Sequence, residues 1–290
     1  MAWDHPPDYV KRPLGPRKER DRKFDGFGCC IYCGETPADG LHDEHALPKG
    51  LGGRTEIRNA SCRRCEKETH AFEGHAMHTV LLMQRLHASL KKSEPKTITL
   101  HKVEDGEWTT IEVAPSEYPV RGRFPIYLPA FAILGILPNI MGKPYASMAT
   151  LSADQSKDRS VISQVRPEPT EDGIIAERIA PNLDAFSRMI AKIAYCHAII
   201  TVGMDGFISL VPSYLKKNNL NLGANYFVGT RMPVTHETEQ RGDHHVEIRY
   251  ERIRGIQTVV ANIRLFASWG APTYHVYLGP ATQASWVNAP

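Results

Sequence analysis

The sequence lacks a strong charge of either sign: 35 basic against 32 acidic residues leave a net +3 over 290 residues. That excludes the heavy basicity of a protein that coats nucleic acid nonspecifically, so contact with phosphate must come from local patches. An unbroken run of about 20 apolar residues is also missing. The nearest, Ile126–Met141, is shorter than the roughly 20 residues a spanning helix needs and is broken by Pro129, Gly135 and Pro138, so it reads as buried core and no membrane is expected as partner. The opening Met-Ala-Trp-Asp-His-Pro-Pro has no apolar stretch behind its basic residues, unlike a secretory signal, and the expectation is a cytoplasmic protein. Internal repeats and low-complexity tracts are absent. With 42% hydrophobic residues the chain can nevertheless bury a real core, which excludes disorder as the default.

Cysteine is sparse but concentrated. Five of the six fall between positions 29 and 65, and four of those form two Cys-x-x-Cys pairs, Cys30/Cys33 and Cys62/Cys65. In a reducing compartment that pattern favours metal over disulfides. Zinc takes four tetrahedral ligands, and each tight Cys-x-x-Cys turn brings two thiolates to about 2.3 Å from one ion. Four protein ligands leave no open position, so the site is structural. Cys29 adjoins Cys30 and is the alternative first ligand, though the two-residue spacing to Cys33 favours Cys30.

Along the chain, residues 11–23 carry seven basic and two acidic side chains with Pro and Gly among them, the composition of an extended basic arm, either solvated or touching phosphate. Apolar spacing predicts a helix over Cys62–Leu90, and Thr97–Val103 with Glu107–Val113 forms a hairpin pattern around Glu104-Asp105-Gly106. A longer irregular, proline-rich stretch runs to about residue 182. Leu183, Phe186, Ile190, Ile193 and His197 define a second helix, Leu183–Val202, with Cys196 and His197 read as core. Val246–Ile253, Ile256–Phe266 and Thr273–Leu278 suggest a three-stranded antiparallel meander. The fold class is α+β: a basic arm over 1–27, a small zinc-bound module over 28–92, and a larger mixed domain with antiparallel strands and a long helix over 93–290.

The zinc loop contains Leu41-His42-Asp43-Glu44-His45-Ala46-Leu47-Pro48-Lys49-Gly50-Leu51-Gly52-Gly53, then Asn59, then Cys62-Arg63-Arg64-Cys65-Glu66. Adjacent strand residues face opposite ways, so of Glu44 and His45 one can hold a metal while the other faces water. Gly50–Gly53 lacks a phosphate-loop ending and reads as a turn bringing the second strand back. Lys49, Arg54, Arg58, Arg63, Arg64 and Lys67 flank this centre and fit phosphate positioning without base readout.

In this order and spacing the segment 28–80 resembles the HNH, or ββα-metal, endonucleases, specifically the zinc-stapled subgroup. The resemblance implies a metal-dependent endonuclease hydrolysing phosphodiester bonds, with double-stranded DNA as the favoured substrate. It implies His45 as the general base, Asn59 as a residue steadying the fold and that base, and Glu44 as the acidic ligand of a catalytic Mg²⁺ or Mn²⁺. One position departs from the pattern: Glu66 stands where the family places His or Asn. Glutamate is a competent hard ligand, and His70, one helical turn on, could complete a Glu44/Glu66/His70 cluster, with Glu73 a further candidate. Alternatively Glu66 and His70 are a solvated helix surface. His42, Asp43, His75 and His78 read as bystanders, although His42 could approach phosphate. The competing function is a catalytically inactive zinc knuckle that binds nucleic acid or protein. Residues 93–290 carry no recognised motif and are expected to serve dimerisation, target recognition or regulation.

Overall fold

The computed structural model describes residues 21–81, 85, 97–113, 126–131, 146–151, 174–175, 183–216, 227–231, 244–266 and 273–282. The fold class expected from the sequence is the one observed, an α+β chain led by a small module that carries the cysteines.

That module is a three-stranded sheet with one helix. Its strands are β1 (Arg22–Phe24), β2 (His42–His45) and β3 (Thr55–Ser61), in the order β1-β3-β2. β2 runs antiparallel to β3 and β1 runs parallel to it. The expectation of an unstructured basic arm is thus corrected at its end: Arg22–Phe24 pairs with Thr55–Ile57, and the Arg22 N–H donates to the Arg54 carbonyl at 3.1 Å. Residues 1–20 of that arm lie outside the described residues. Between β2 and β3 the chain turns through a 3-10 segment, Lys49–Leu51, and Gly52 at φ 82°. Gly53 follows so tightly that a Cβ there would sit 1.9 Å from the Leu47 carbonyl oxygen, which is why the turn needs glycine.

Helix α1 (Arg63–Thr79) begins at Cys62 and buries Cys65, Phe72 and Ala76 on one stripe. Most of the remaining span expected up to Leu90 lies outside the described residues. β4 (Ile98–Glu104) and β5 (Glu107–Val113) form the expected hairpin, closed by Asp105 and Gly106 at φ 50° and 82°, the double positive φ of a type I′ turn. In the proline-rich stretch, β6 (Ile126–Phe131) pairs with β7 (Ala146–Leu151), and β8 (Ile174–Ile175) joins β4.

Helix α2 (Leu183–Val202) has the span read from the sequence. It is apolar on nearly every side and long enough by composition to cross a membrane, yet 78% of that stretch is buried inside the protein, the signature of a core helix. A short helix, α3 (Val211–Leu215), follows. The last sheet contains β9 (Val228–Arg231), β10 (His244–Ile253), β11 (Ile256–Leu265) and β12 (Thr273–Pro280), ordered β10-β11-β12-β9 and antiparallel throughout. The expected three-strand meander therefore has a fourth strand, β9.

α2 touches α1 as well as β10, β11 and β12, so residues on both sides of the expected boundary at 92/93 share one hydrophobic core. Polar contacts reinforce the junction. The Tyr195 hydroxyl donates to the Ile31 carbonyl at 2.7 Å. His244 Nδ1 accepts from the Phe266 N–H, which leaves Nε2–H to donate to the Leu51 carbonyl at 2.9 Å. The cysteine module is thereby seated on α2 and the edge of the last sheet.

Candidate functional site

The four cysteines converge. Gly34 N–H closes the first turn on the Cys30 carbonyl at 2.7 Å, Cys62 caps α1, and Cys65 lies in its first turn. All four Sγ atoms lie within 4.8 Å of one another, with Cys33 and Cys62 3.7 Å apart. A tetrahedral ion with Zn–S bonds of about 2.3 Å separates its sulfurs by about 3.8 Å, so the donor set fits zinc in number, softness and spacing. Cys29 is not part of the group. Cys30 and Cys65 compete for a proton: hydrogen bonding from Cys65 pushes Cys30 down to about 4, and the Cys65 thiol rises in consequence. Cys30 is thus the one thiol of the group held toward thiolate, while burial pushes Cys33 up. Zinc here would cross-link the Cys30–Cys33 turn, between β1 and β2, to the start of α1 and leave no position for substrate.

β2 turns its four residues in different directions. His42 and Asp43 are exposed, a register shift follows, Glu44 points inward, and His45 is half-buried at the strand end. Alternation separates the faces of Glu44 and His45, as the sequence requires.

What fills the inward face was not foreseen. Lys192 of α2, fully buried, places its Nζ 2.7 Å from Glu44 Oε1 and 2.8 Å from Glu73 Oε1 of α1. The same ammonium donates to the backbone carbonyl of His45. Burial pushes the Glu73 carboxyl above its ordinary range, opposed by the attraction of Lys192. Lys192 is raised because the surrounding carboxylates outweigh the cost of burying its charge.

The residues of the expected catalytic-metal cluster are not brought together here. Glu44 is engaged by Lys192 in the interior, whereas Glu66 pairs with His42 Nδ1 at 3.2 Å on the outer side, and His70 is exposed. Among the described residues, the four cysteines are the one group of three or more His, Cys, Asp or Glu ligands close enough to share an ion. Glu44, Glu66 and His70 do not fit a common Mg²⁺ or Mn²⁺ as they stand.

His45 does have the surroundings of a base. Burial lowers its affinity for protons, and Glu56, whose carboxylate lies 3.6 Å from Nε2, partly restores it. The imidazole is therefore neutral at physiological pH. The carboxylate favours the tautomer with its proton on Nε2, leaving Nδ1, which has no hydrogen-bond partner, as the accepting nitrogen.

Asn59 contacts Asp43 through its backbone. Its side chain is exposed, its φ is 47°, and its backbone N–H donates to Asp43 Oδ1 at 2.9 Å. Asp43 thus braces the irregular crossing of β2 and β3, and the bond at this position involves the Asn59 backbone.

The flanking cations divide into two groups. Arg54 pairs with Asp21 at 3.2 Å, Arg58 with Asp25 at 3.9 Å, and Arg64 with both oxygens of Glu35 at 3.0 Å. Lys49, Arg63 and Lys67 are exposed. Exposed ion pairs are weak because water screens them, so Arg54, Arg58 and Arg64 can exchange a carboxylate for a phosphate at little cost.

Lys192 escaped the sequence reading because it lies 147 residues from His45, inside an apolar helix. A single lysine in an otherwise core-forming run is the signal that could have marked it.

Together these features define the class: a strand-turn-strand-helix module stapled by four cysteines, with a neutral histidine at the strand end. Residues 30–78 match the family model described as HNH endonuclease, and the cysteine cluster lies in that segment, as in the zinc-stapled subgroup of that family. No curated protein and no solved structure matches the chain.

Proposed function

We propose that the chain is an endonuclease that hydrolyses phosphodiester bonds, with double-stranded DNA as substrate and His45 as the general base. The observation that carries this reading is the state of His45: a neutral, half-buried imidazole with Glu56 beside Nε2 and a partnerless Nδ1, inside the segment that matches the HNH endonuclease model. Nδ1 is buried in this structure, so the attacking water must reach it for the imidazole to take its proton, and the charge that then develops is eased by Glu56. Lys49, Arg63 and Lys67, joined by arginines released from Asp21, Asp25 and Glu35, hold the backbone phosphates on either side. The cysteines hold zinc and with it the angle between β2, β3 and α1. Mg²⁺ or Mn²⁺ is the cofactor implied by the family resemblance, and it is supplied in the test.

A second reading is supported by the Lys192–Glu44 pair: a zinc-stapled module that binds nucleic acid without cutting it, because the carboxylate expected to serve chemistry is committed to the interior. Incubating supercoiled plasmid with the zinc-loaded chain and Mg²⁺ or Mn²⁺, with H45A and chelator controls, separates the two. Metal-dependent loss of supercoils that H45A abolishes supports the nuclease. Retained DNA binding with no cleavage supports the binding module. Residues 93–290 we assign to seating the module and to homodimerisation in the cytoplasm, and the mass in solution tests the dimer.

A further inference from the structure

The disagreement between the implied divalent-ion ligands and their placement points to what occupies that position. An ammonium has three donors, and three oxygens surround that of Lys192: Glu44 Oε1 and Glu73 Oε1 in ion-pair contact at 2.7 and 2.8 Å, and the His45 carbonyl as hydrogen-bond acceptor. The oxygens come from three backbone positions on β2 and α1, while the cation comes from α2, a different part of the chain. Lys192, Glu44 and Glu73 are 0%, 4% and 6% exposed, so this is a built, dry site and not a surface pairing. Glu44 Oε2 and Glu73 Oε1 are buried in the same place without a hydrogen-bond partner, which leaves spare acceptor capacity in the site. Two carboxylates and one carbonyl are the hard oxygen donors that Mg²⁺ and Mn²⁺ select. Here they surround one positive charge belonging to the protein itself.

We propose that Lys192 is the resident cation of the module: its ammonium fills a three-oxygen site made by Glu44, Glu73 and the His45 carbonyl, and a divalent ion binds there only when that side chain is removed. Lys192 is by the same contacts a positioning residue for His45, whose main chain it holds. That positioning role rests on the reading of His45 as base. The occupancy of the site does not, and its readout is metal binding in the absence of nucleic acid.

The test is titration of zinc-loaded full-length chain with Mn²⁺, followed by the loss of the free-ion electron paramagnetic resonance signal. In wild type, Mn²⁺ uptake is unchanged by E44Q, because Glu44 is already occupied. K192A takes up one further Mn²⁺, bound about tenfold or more tightly than any wild-type site, a difference of about 1.4 kcal/mol or more. K192A/E44Q loses that ion. If K192A folds only when Mn²⁺ is present, the recovery reads the same way, since an ion that binds the folded state alone stabilises it. Wild-type Mn²⁺ uptake that E44Q abolishes would overturn the proposal. So would K192A that takes up no more Mn²⁺ than wild type, or that fails to fold with and without it.

Discussion

Replacing Lys192 with methionine keeps the length of the side chain and removes its charge, leaving Glu44 and Glu73 facing each other at 4% and 6% exposure. Breaking a buried ion pair from one side costs about 3–5 kcal/mol, because the surviving charge has no water to turn to. At about 2–4 °C of melting temperature per kcal/mol for chains of roughly 150–250 residues, K192M should melt about 6–20 °C below wild type. The deficit should depend on pH. Two buried carboxylates without their ammonium bind protons more readily in the folded than in the unfolded state, so stability rises as pH falls toward the ordinary carboxylate range and is lost as pH rises above it. The gap between K192M and wild type is therefore widest near pH 8 and narrows toward pH 5. E73Q should cost far less than K192M, because it leaves one carboxylate on one ammonium and removes a group that burial already pushes toward protonation. Scanning calorimetry across that pH range checks all three. A K192M melting point within about 2 °C of wild type, under 1 kcal/mol on the same scale, would show that the buried pair contributes little, and a deficit that ignores pH would contradict the charge argument.

Other perturbations have equally definite outcomes. Because burial lowers the affinity of His45 for protons and Glu56 partly restores it, the acid limb of cleavage lies below pH 6.5. E56Q should move that limb further down, read from a pH–rate profile; an upward shift would contradict the geometry. Elemental analysis should find about one zinc per chain, and C62S or strong chelation should unfold the module, since structural zinc contributes on the order of 10 kcal/mol to such sites. N59G keeps the backbone N–H that Asp43 accepts and relieves the left-handed φ of 47°, so it should fold at least as well as wild type and retain cleavage, whereas N59V should lose about 1–2 kcal/mol in denaturant melts. Loss of cleavage in folded N59G would show that the amide side chain, and not the backbone N–H, is what position 59 contributes.

The parts of the molecule that were legible in the sequence are those whose physics is local. The bounds of α2 follow from an apolar pattern with a helical period, the β4–β5 hairpin from an Asp-Gly turn that accepts positive φ, and the zinc ligands from two spacings that suit one ion. The opposed faces of Glu44 and His45 were also readable, since alternation in a strand is unavoidable. Which of the two faced inward was not, because that depends on Lys192, brought in by packing across more than half the chain. β1 was hidden for a related reason: Arg22–Phe24 is charged and short, and only its pairing with β3 makes it a strand. β9, four residues long, has too few positions to show a period. The placement of Glu66 with His42 likewise arises from a contact between α1 and β2 that helix spacing cannot express.

Whether His45 removes a proton during phosphodiester hydrolysis is measured most directly by the rate at which zinc-loaded wild type and H45A convert supercoiled plasmid in the presence of Mg²⁺ or Mn²⁺. Wild type should cleave, and H45A should lose about 10²–10⁴-fold in rate, the range of a general base, with its melting temperature unchanged. Equal rates for the two proteins, or no cleavage by a wild type that still binds the DNA, would contradict a general base at this position.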